Sequence, residues 1–378
     1  MNITRLQYLS SRTIRPPLCS PVFLGACPER SWALRGSDFD FCNLRHDLCN
    51  LQSLMPHSAD PGKIDHAVRL LRAGRLVAFP TETVYGLGAN ALDAEAVARV
   101  YAVKLRPATS PLIVHVASIE MAQSLVSNWP EIADRMALRF WPGPLTLVLE
   151  KQLEKPPVIP AIVTAGLPTV GLRMPAHPIA LALIRAAGVP LAAPSANRFT
   201  ELSPTTADHV RLSLGSDIDY ILDGGPCSVG IESTVLSLVG PRPILLRPGG
   251  ISRTELEAIA GPVASASEVQ IRAPSGAHPS PGMHPRHYSP HTPLLLEKDG
   301  KLPDQGQGIY LQHQHPPSRE SVQTMQMPEP APDYAAALYE ILHQADAGNY
   351  DWIVVDLPPN TPEWEAVHDR LHRAASNS

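Results

Sequence analysis

Five short clusters of hydroxyl, amide and cationic residues punctuate the chain between residues 80 and 250, each beside an apolar run. Thr81, Thr83 and Tyr85 lie in PTETVYGLG (80–88), directly after RLVAF (75–79). Lys104 and Arg106 stand in KLRP (104–107), and His115 follows in PLIVHV (111–116). Ser195 and Asn197 stand in PSAN (194–197), while ESTV (232–235) and LLRPGG (245–250), with Arg247 and a glycine pair, repeat the theme. Taken singly, each cluster is an ordinary loop; a Lys and an Arg at a helix end commonly do no more than complement its dipole. Together they point to a polar anion-binding cavity, with an arginine fork, a lysine point charge and short hydrogen-bonding side chains.

The elements that must position these clusters are short and regular from residue 60 onward. Ile64, Val68 and Leu71 recur at helical spacing and Gly74 ends that helix. RLVAF reads as a buried strand stopped by Pro80, and residues 93–104 as a helix opened by Asp93. Strands are expected at 111–116, 144–150, 169–173, 190–193, 219–223, 233–239 and 243–247. Helices are expected after Ser118 and near 178–186, 205–213 and 252–260. That mixture predicts an α/β domain of about 200 residues. Polar clusters that follow strands would sit at carboxyl ends, where ligands dock in α/β sheets. Beyond residue 291, TPLLL (292–296), GIYL (308–311), a helix at 333–346, WIVVD (352–356) and a helix at 362–375 predict a second, small βαβ-type domain with a parallel sheet.

Composition bounds the possibilities. The 378 residues are 44% hydrophobic and 18% charged, enough for real cores, and the net charge is −5. Residues 60–260 carry 18 Lys and Arg against 18 Asp and Glu, and that balance argues against a module that binds RNA through its phosphates. No uninterrupted apolar run is long enough to read as a transmembrane span. Proline is abundant, 41 residues, and concentrates in APSGAHPSPGMHPRHYSPH (273–291), an extended connector, and in 316–332, which reads as a mobile loop. The four connector histidines are spaced irregularly for a metal site. Cys19, Cys27, Cys42 and Cys49 precede residue 50 and match no zinc pattern; with Cys227 alone, a reducing compartment is expected. Residues 1–54 lack clean periodicity, and their early arginines weakly resemble an organellar transit peptide. The alternative is an upstream translated stretch with Met55 as the functional start. GLGANA (86–91) has the spacing of a dinucleotide fingerprint but no strand directly before it. Phosphate-loop, zinc-protease and serine-hydrolase motifs are missing from the sequence.

FPTETVYGLG, KLRP with PLIVH, PGPLTLVL, TVGLRMPAHP, APSANRF, ESTV and LLRPGG together resemble the signature blocks of the YrdC-type threonylcarbamoyl-AMP synthases. The family pattern K-x-R…S-x-N falls on Lys104, Arg106, Ser195 and Asn197. HPSPGMHPRHYSP and the tail from VVDLPPNTPEWEAVHDRLHRAA resemble the longer, two-domain form, so the resemblance spans roughly residues 60–378. It implies four segments: an extension at 1–54, a YrdC-like twisted open α/β sheet domain with a central polar cavity at 58–262, a Pro/His-rich connector at 263–291, and a small Rossmann-like domain at 292–378.

The resemblance further implies an enzyme that condenses L-threonine, bicarbonate or CO2 and ATP into threonylcarbamoyl-AMP and pyrophosphate. The product would feed N6-threonylcarbamoyladenosine formation at tRNA position 37 in the cytoplasm. By position, Lys104 and Arg106 would be catalytic, holding phosphate and carboxylate charge. Ser110, Thr169, the backbone at Ala193, Ser195, Asn197, Ser203, Arg247 and Tyr288 would join Arg106 in binding ATP, with Tyr288 closing over the nucleotide. Thr83, His115, Arg173 and Ser233 would hold threonine. Mg2+ would accompany the triphosphate, with no protein cage for it. The product would pass to the threonylcarbamoyl-transfer machinery without stable tRNA binding and without a membrane. The rival readings are a non-enzymatic RNA-binding or regulatory module on the same fold, and a carbamoyl-adenylate-forming relative from hydrogenase maturation.

Overall fold

Asp60 starts the ordered pattern by accepting a hydrogen bond from the Gly62 amide at the head of the first helix. The structure, a computed structural model, describes residues 60–153, 158–269, 287–297 and 301–375. The expectations for residues 1–54 with their cysteines, for Met55 as a start, and for the connector stretch 270–286 with His278 and His284 lie outside the described residues.

Among the described residues, the larger sheet has ten strands: β1 (Val77–Phe79), β2 (Gly86–Asn90), β3 (Ile113–His115), β4 (Leu145–Glu150), β5 (Thr169–Arg173), β6 (Leu191–Ala192), β7 (Tyr220–Ile221), β8 (Thr234–Ser237), β9 (Ile244–Arg247) and β10 (Ala264–Ser265). Their order is β10-β9-β8-β4-β5-β3-β6-β2-β1-β7. The sheet is mixed: β10–β9, β8–β4, β5–β3 and β1–β7 pair in parallel, and the remaining neighbours are antiparallel. The helices around it are α1 (Pro61–Arg72), α2 (Ala94–Lys104), α3 (Ile119–Gln123), α4 (Glu131–Phe140), α5 (Pro178–Ala187), α6 (Ala207–Leu214), α7 (Arg253–Ala260) and α8 (Ala266–Val269).

The pleat divides the core. In β1, Ala78 joins a large cluster with Val97, Val100, Met136 and Val210, while Val77 and Phe79 join a second with Ile64, Val68, Leu71, Ile179 and Leu183. Apolar groups therefore cover both sides of the strand, and its sequence reads as an unbroken apolar run. GLGAN is a strand, β2, and not a loop: the Cβ of any other residue at 88 would lie 2.7 Å from the Phe79 ring. That close approach accounts for the glycines that imitated a dinucleotide fingerprint.

The smaller sheet comprises β11 (Leu294–Glu297), β12 (Gly308–Gln312), β13 (Gln323–Gln326) and β14 (Trp352–Asp356), all parallel, in the order β11-β14-β12-β13. Two helices, α9 (Ala331–Asp346) and α10 (Glu365–Ala374), pack on it through Tyr334, Leu338, Tyr339, Leu342, Val367 and Leu371. Val84, Leu202, Ile231 and Tyr288 belong to the same apolar cluster, so this core is shared with the larger sheet. The expectation of a mobile loop across 316–332 is corrected, because residues 323–326 form the edge strand β13. Its residues are largely exposed and Met325 alone is apolar, so the backbone ladder to β12 is what mainly holds it and no apolar pattern announces it.

Candidate active site

The polar clusters do not meet along one edge of carboxyl strand ends, as the sequence suggested. Because the sheet is mixed, β1 and β6 run one way and β3, β5 and β9 the other. The cavity lies instead against a face of the sheet, where Ile113 and His115, two residues apart on β3, both reach it. Thr83 and Ser195 enter from the ends of β1 and β6, and His115, Arg173 and Arg247 from the ends of the opposed strands.

Lys104 is the last residue of α2, and Leu105 adopts a left-handed conformation (φ 53°) that turns the chain out of the helix. Lys104 lies behind the cavity wall. It is 1% exposed, and its Nζ donates to the carbonyl of Ser195 at 2.6 Å and to that of Asn197. Burial first, and the Arg106 charge second, pull its proton affinity well below that of an ordinary lysine. Arg106 lines the cavity. It donates from Nε to the Ser110 carbonyl (3.1 Å) and from Nη2 to the Pro111 carbonyl (3.0 Å), with its guanidinium 5.6 Å from the Phe199 ring centre. Burial lowers its pKa to about 10.

Arg173, which also lines the cavity, pairs with Glu82 at 2.8 Å and donates from Nε to the Gly143 carbonyl. Beside it, burial and then the Arg173 charge press His115 down to a pKa of about 3, leaving a neutral imidazole at ordinary pH. Arg247 donates to the Ser233 carbonyl at 3.1 and 2.9 Å and to Ser233 Oγ at 3.2 Å, and Ser233 Oγ also lies 2.8 Å from Thr146 Oγ1. Glu232 carries three kinds of donor: Ser203 Oγ at 2.5 Å, Tyr339 OH at 3.0 Å and Arg370 Nε at 2.8 Å. Burial alone would raise its carboxyl, but the arginines and these donors leave it more acidic than usual. Four buried arginines, Arg106, Arg173, Arg247 and Arg370, thus stand at or against the cavity with three carboxylates, Glu82, Glu232 and Asp369, paired to Arg173 and Arg370, a balance that favours anionic ligands.

Comparison with known proteins fits this arrangement. Residues 69–249 match the Sua5, YciO and YrdC family profile described as "Telomere recombination", and residues 251–376 match "Threonylcarbamoyl-AMP synthase, C-terminal domain". The threonylcarbamoyl-AMP synthase of Bacillus subtilis (strain 168) is 42% identical over 333 residues, covering 84% of this chain and 94% of the relative. The chain belongs to the threonylcarbamoyl-AMP synthase family. The synthase of Pyrococcus abyssi is 49% identical over 234 residues, 62% of this chain and 67% of the relative. The crystal structure of P. abyssi Sua5 complexed with L-threonine superposes with a TM-score of 0.76 at 39% identity, covering 82% of this chain and 94% of that one.

Of the residues that family resemblance singled out, the cavity is lined by Thr83, Arg106, His115, Arg173, Ala193, Ser195, Ser233, Arg247 and Tyr288. Lys104, Ser110, Asn197 and Ser203 lie behind it. Ser110 offers its carbonyl to Arg106, Asn197 spans the carbonyls of Arg198 and Glu201, and Ser203 serves Glu232. Thr169 is not brought to the cavity: it sits at the far end of β5 from Arg173, beside Thr164 and Thr146 in a separate small space. Tyr85 also turns away, donating to the Gly225 carbonyl. The two described connector histidines diverge, His287 lining the cavity and His291 pairing with Asp346 at the surface, so they do not share a metal site. Glu82, Glu232, His287, Tyr339 and Arg370 were not anticipated. The two glutamates stand inside the quoted motifs TETV and ESTV, and the need of buried arginines for counter-charge was the signal for them.

Proposed function

We propose that this cavity condenses L-threonine, bicarbonate and ATP into threonylcarbamoyl-AMP and pyrophosphate. The observation that carries the reading is that three buried arginines, Arg106, Arg173 and Arg247, line one cavity. The threonine amine adds to the carbon of bicarbonate with loss of water, giving a carbamate. A carbamate oxygen then attacks the α-phosphorus of ATP, and the bond to the bridging oxygen breaks to release pyrophosphate. Two anions must approach each other in that step, and fixed guanidinium groups offset their repulsion without reorganising.

In this reading Arg173, steadied by Glu82, takes the threonine carboxylate, with Thr83, His115 and Ser233 around the amino acid. Arg106 and Arg247 take phosphate oxygens. Lys104 fixes the backbone of Ser195 and Asn197, so its contribution is the shape of the nucleotide loop together with its charge. The space left is about 50 Å³, too small for a nucleotide, so ATP enters only when His287 and Tyr288 withdraw, and Tyr288 then acts as a closing group. Roles for Ser110 and Ser203 are through Arg106 and Glu232. Thr169 would need a nucleotide that reaches past β5.

Mg2+ is expected with the triphosphate, but the residues present do not fit a protein-held ion. Glu82 is taken by Arg173 and the Ala176 amide, Glu232 is taken by its three donors, and no group of three metal-ligating side chains occurs among the described residues. The phosphates themselves would carry it. Product transfer to the tRNA-modifying machinery in the cytoplasm completes the proposal; among the described residues no helix is long and apolar enough to cross a membrane. The test is pyrophosphate release with ATP and Mg2+, omitting threonine and bicarbonate in turn. Release that needs both is expected. Release indifferent to threonine would replace it with another acceptor, and no release would overturn the reading.

A further inference from the structure

Arg370 comes from α10 of the smaller sheet, 138 residues beyond Glu232, yet its guanidinium ends against the wall of the cavity. It is 1% exposed. Nε donates to Glu232 Oε2 at 2.8 Å, Nη2 donates to the Pro248 carbonyl at 3.0 Å, and Nη1 donates to Asp369 at 2.5 Å. The guanidinium carbon lies 5.1 Å from the centre of the Tyr288 ring. From α9, Tyr339 donates to the same Glu232 and packs 5.8 Å from Tyr288.

A buried ion pair of this kind is poor evidence of added stability, because desolvating both charges cancels much of their attraction. What its geometry does fix is position. Glu232 precedes Ser233, whose carbonyl seats Arg247, and Pro248 follows Arg247. Arg370 therefore bridges the two segments that define the seat of Arg247, and a planar guanidinium does so from two separate nitrogens in a rigid fork, where a lysine offers a single nitrogen on a flexible stem. We propose that Arg370, supported by Tyr339, is a positioning residue of the synthase site. It sets the Arg247 wall, and so the alignment of the nucleotide, from the second domain.

This rests on the synthase reading above, with Arg247 on phosphate. The test uses the full chain and three variants: Arg370→Lys, Arg370→Met, and the double variant Arg370→Met with Glu232→Gln. The single Met variant leaves an unpaired buried carboxylate and is expected to melt early. The double variant removes both charges and is expected to melt close to wild type. Even so, its kcat/KM for ATP should fall about 10- to 100-fold, its ATP dissociation constant should weaken about tenfold, and its KM for threonine should change about threefold or less. Arg370→Lys should restore little of the ATP effect. Wild-type ATP kinetics and affinity in the double variant would overturn the proposal. So would equal losses for ATP and threonine that track a lowered melting temperature, since those mark a merely structural role. The dissociation constant, read by calorimetry, judges Arg370 without turnover, whereas absent pyrophosphate release from wild type would count against the synthase reading alone.

Discussion

At the scale of single residues, spacing announced the cations and burial decided their duties. K-x-R was legible because a lysine at a helix end and an arginine two residues on must share a turn, and the left-handed Leu105 supplies it. To the purely catalytic role that the family resemblance implies for Lys104, its burial against the Ser195 and Asn197 carbonyls adds a structural one. Lys104→Ala would leave the carbonyls of Ser195 and Asn197 short of a donor, so we expect a stability loss of about 1–3 kcal/mol in denaturant titration together with loss of most activity. A stable but inactive variant would restore the simpler view. Arg173→Lys keeps the charge but not the fork that serves Glu82 and Gly143 together, so the KM for threonine should rise about tenfold or more while that for ATP holds. Glu82 and Glu232 were hard to find because an anion site does not advertise acids. They follow only once the arginines are known to be buried.

At the scale of elements, apolar periodicity located most strands and capped helices, because burial on one or two sides is what writes that pattern. It was silent where another force rules. Edge strand β13 has little apolar content and β2 is built of glycines by the close passage of Phe79; α4 differs, since Ala133, Met136, Ala137 and Phe140 recur at helical spacing, but Pro130 ahead of it gives no side-chain cap to mark its start and it went unread. Another close passage makes a prediction. A Cβ at Gly249 would lie 2.3 Å from the Thr234 amide nitrogen and 2.6 Å from the Glu232 carbonyl. Gly249→Ala should therefore cost about 1–3 kcal/mol in thermal or denaturant unfolding and lower kcat/KM, because the shifted loop carries Arg247. An alanine variant with wild-type stability would show that the loop has slack.

At the scale of the molecule, two domains were legible from alternating strands and helices, but their shared site was not, since no local pattern tells an amphipathic helix which arginine points into a neighbour. The seam between them should respond to acid. His343 of α9 stacks on His209 of α6 at 3.8 Å and is held, by burial and then by the His209 charge, at a pKa of about 4. Glu340 and Asp346 on α9, and His291, face the same pair. An unfolded histidine takes its proton near pH 6.5, so the unfolded chain binds more protons between about pH 6.5 and 4, and stability falls as pH drops through that window. The melting temperature should decline there, and His343→Phe, which keeps the stacking, should decline less; identical profiles would assign the acid sensitivity elsewhere. The long reach from Glu232 to Arg370 also has a consequence in time. A ribosome adding about 5–20 residues per second needs roughly seven to twenty-eight seconds to traverse those 138 residues. Throughout that interval the nascent chain holds the Arg247 wall without Arg370, so if Arg370 positions that wall as proposed, a newly made chain reaches full turnover only after its second half has folded onto its first.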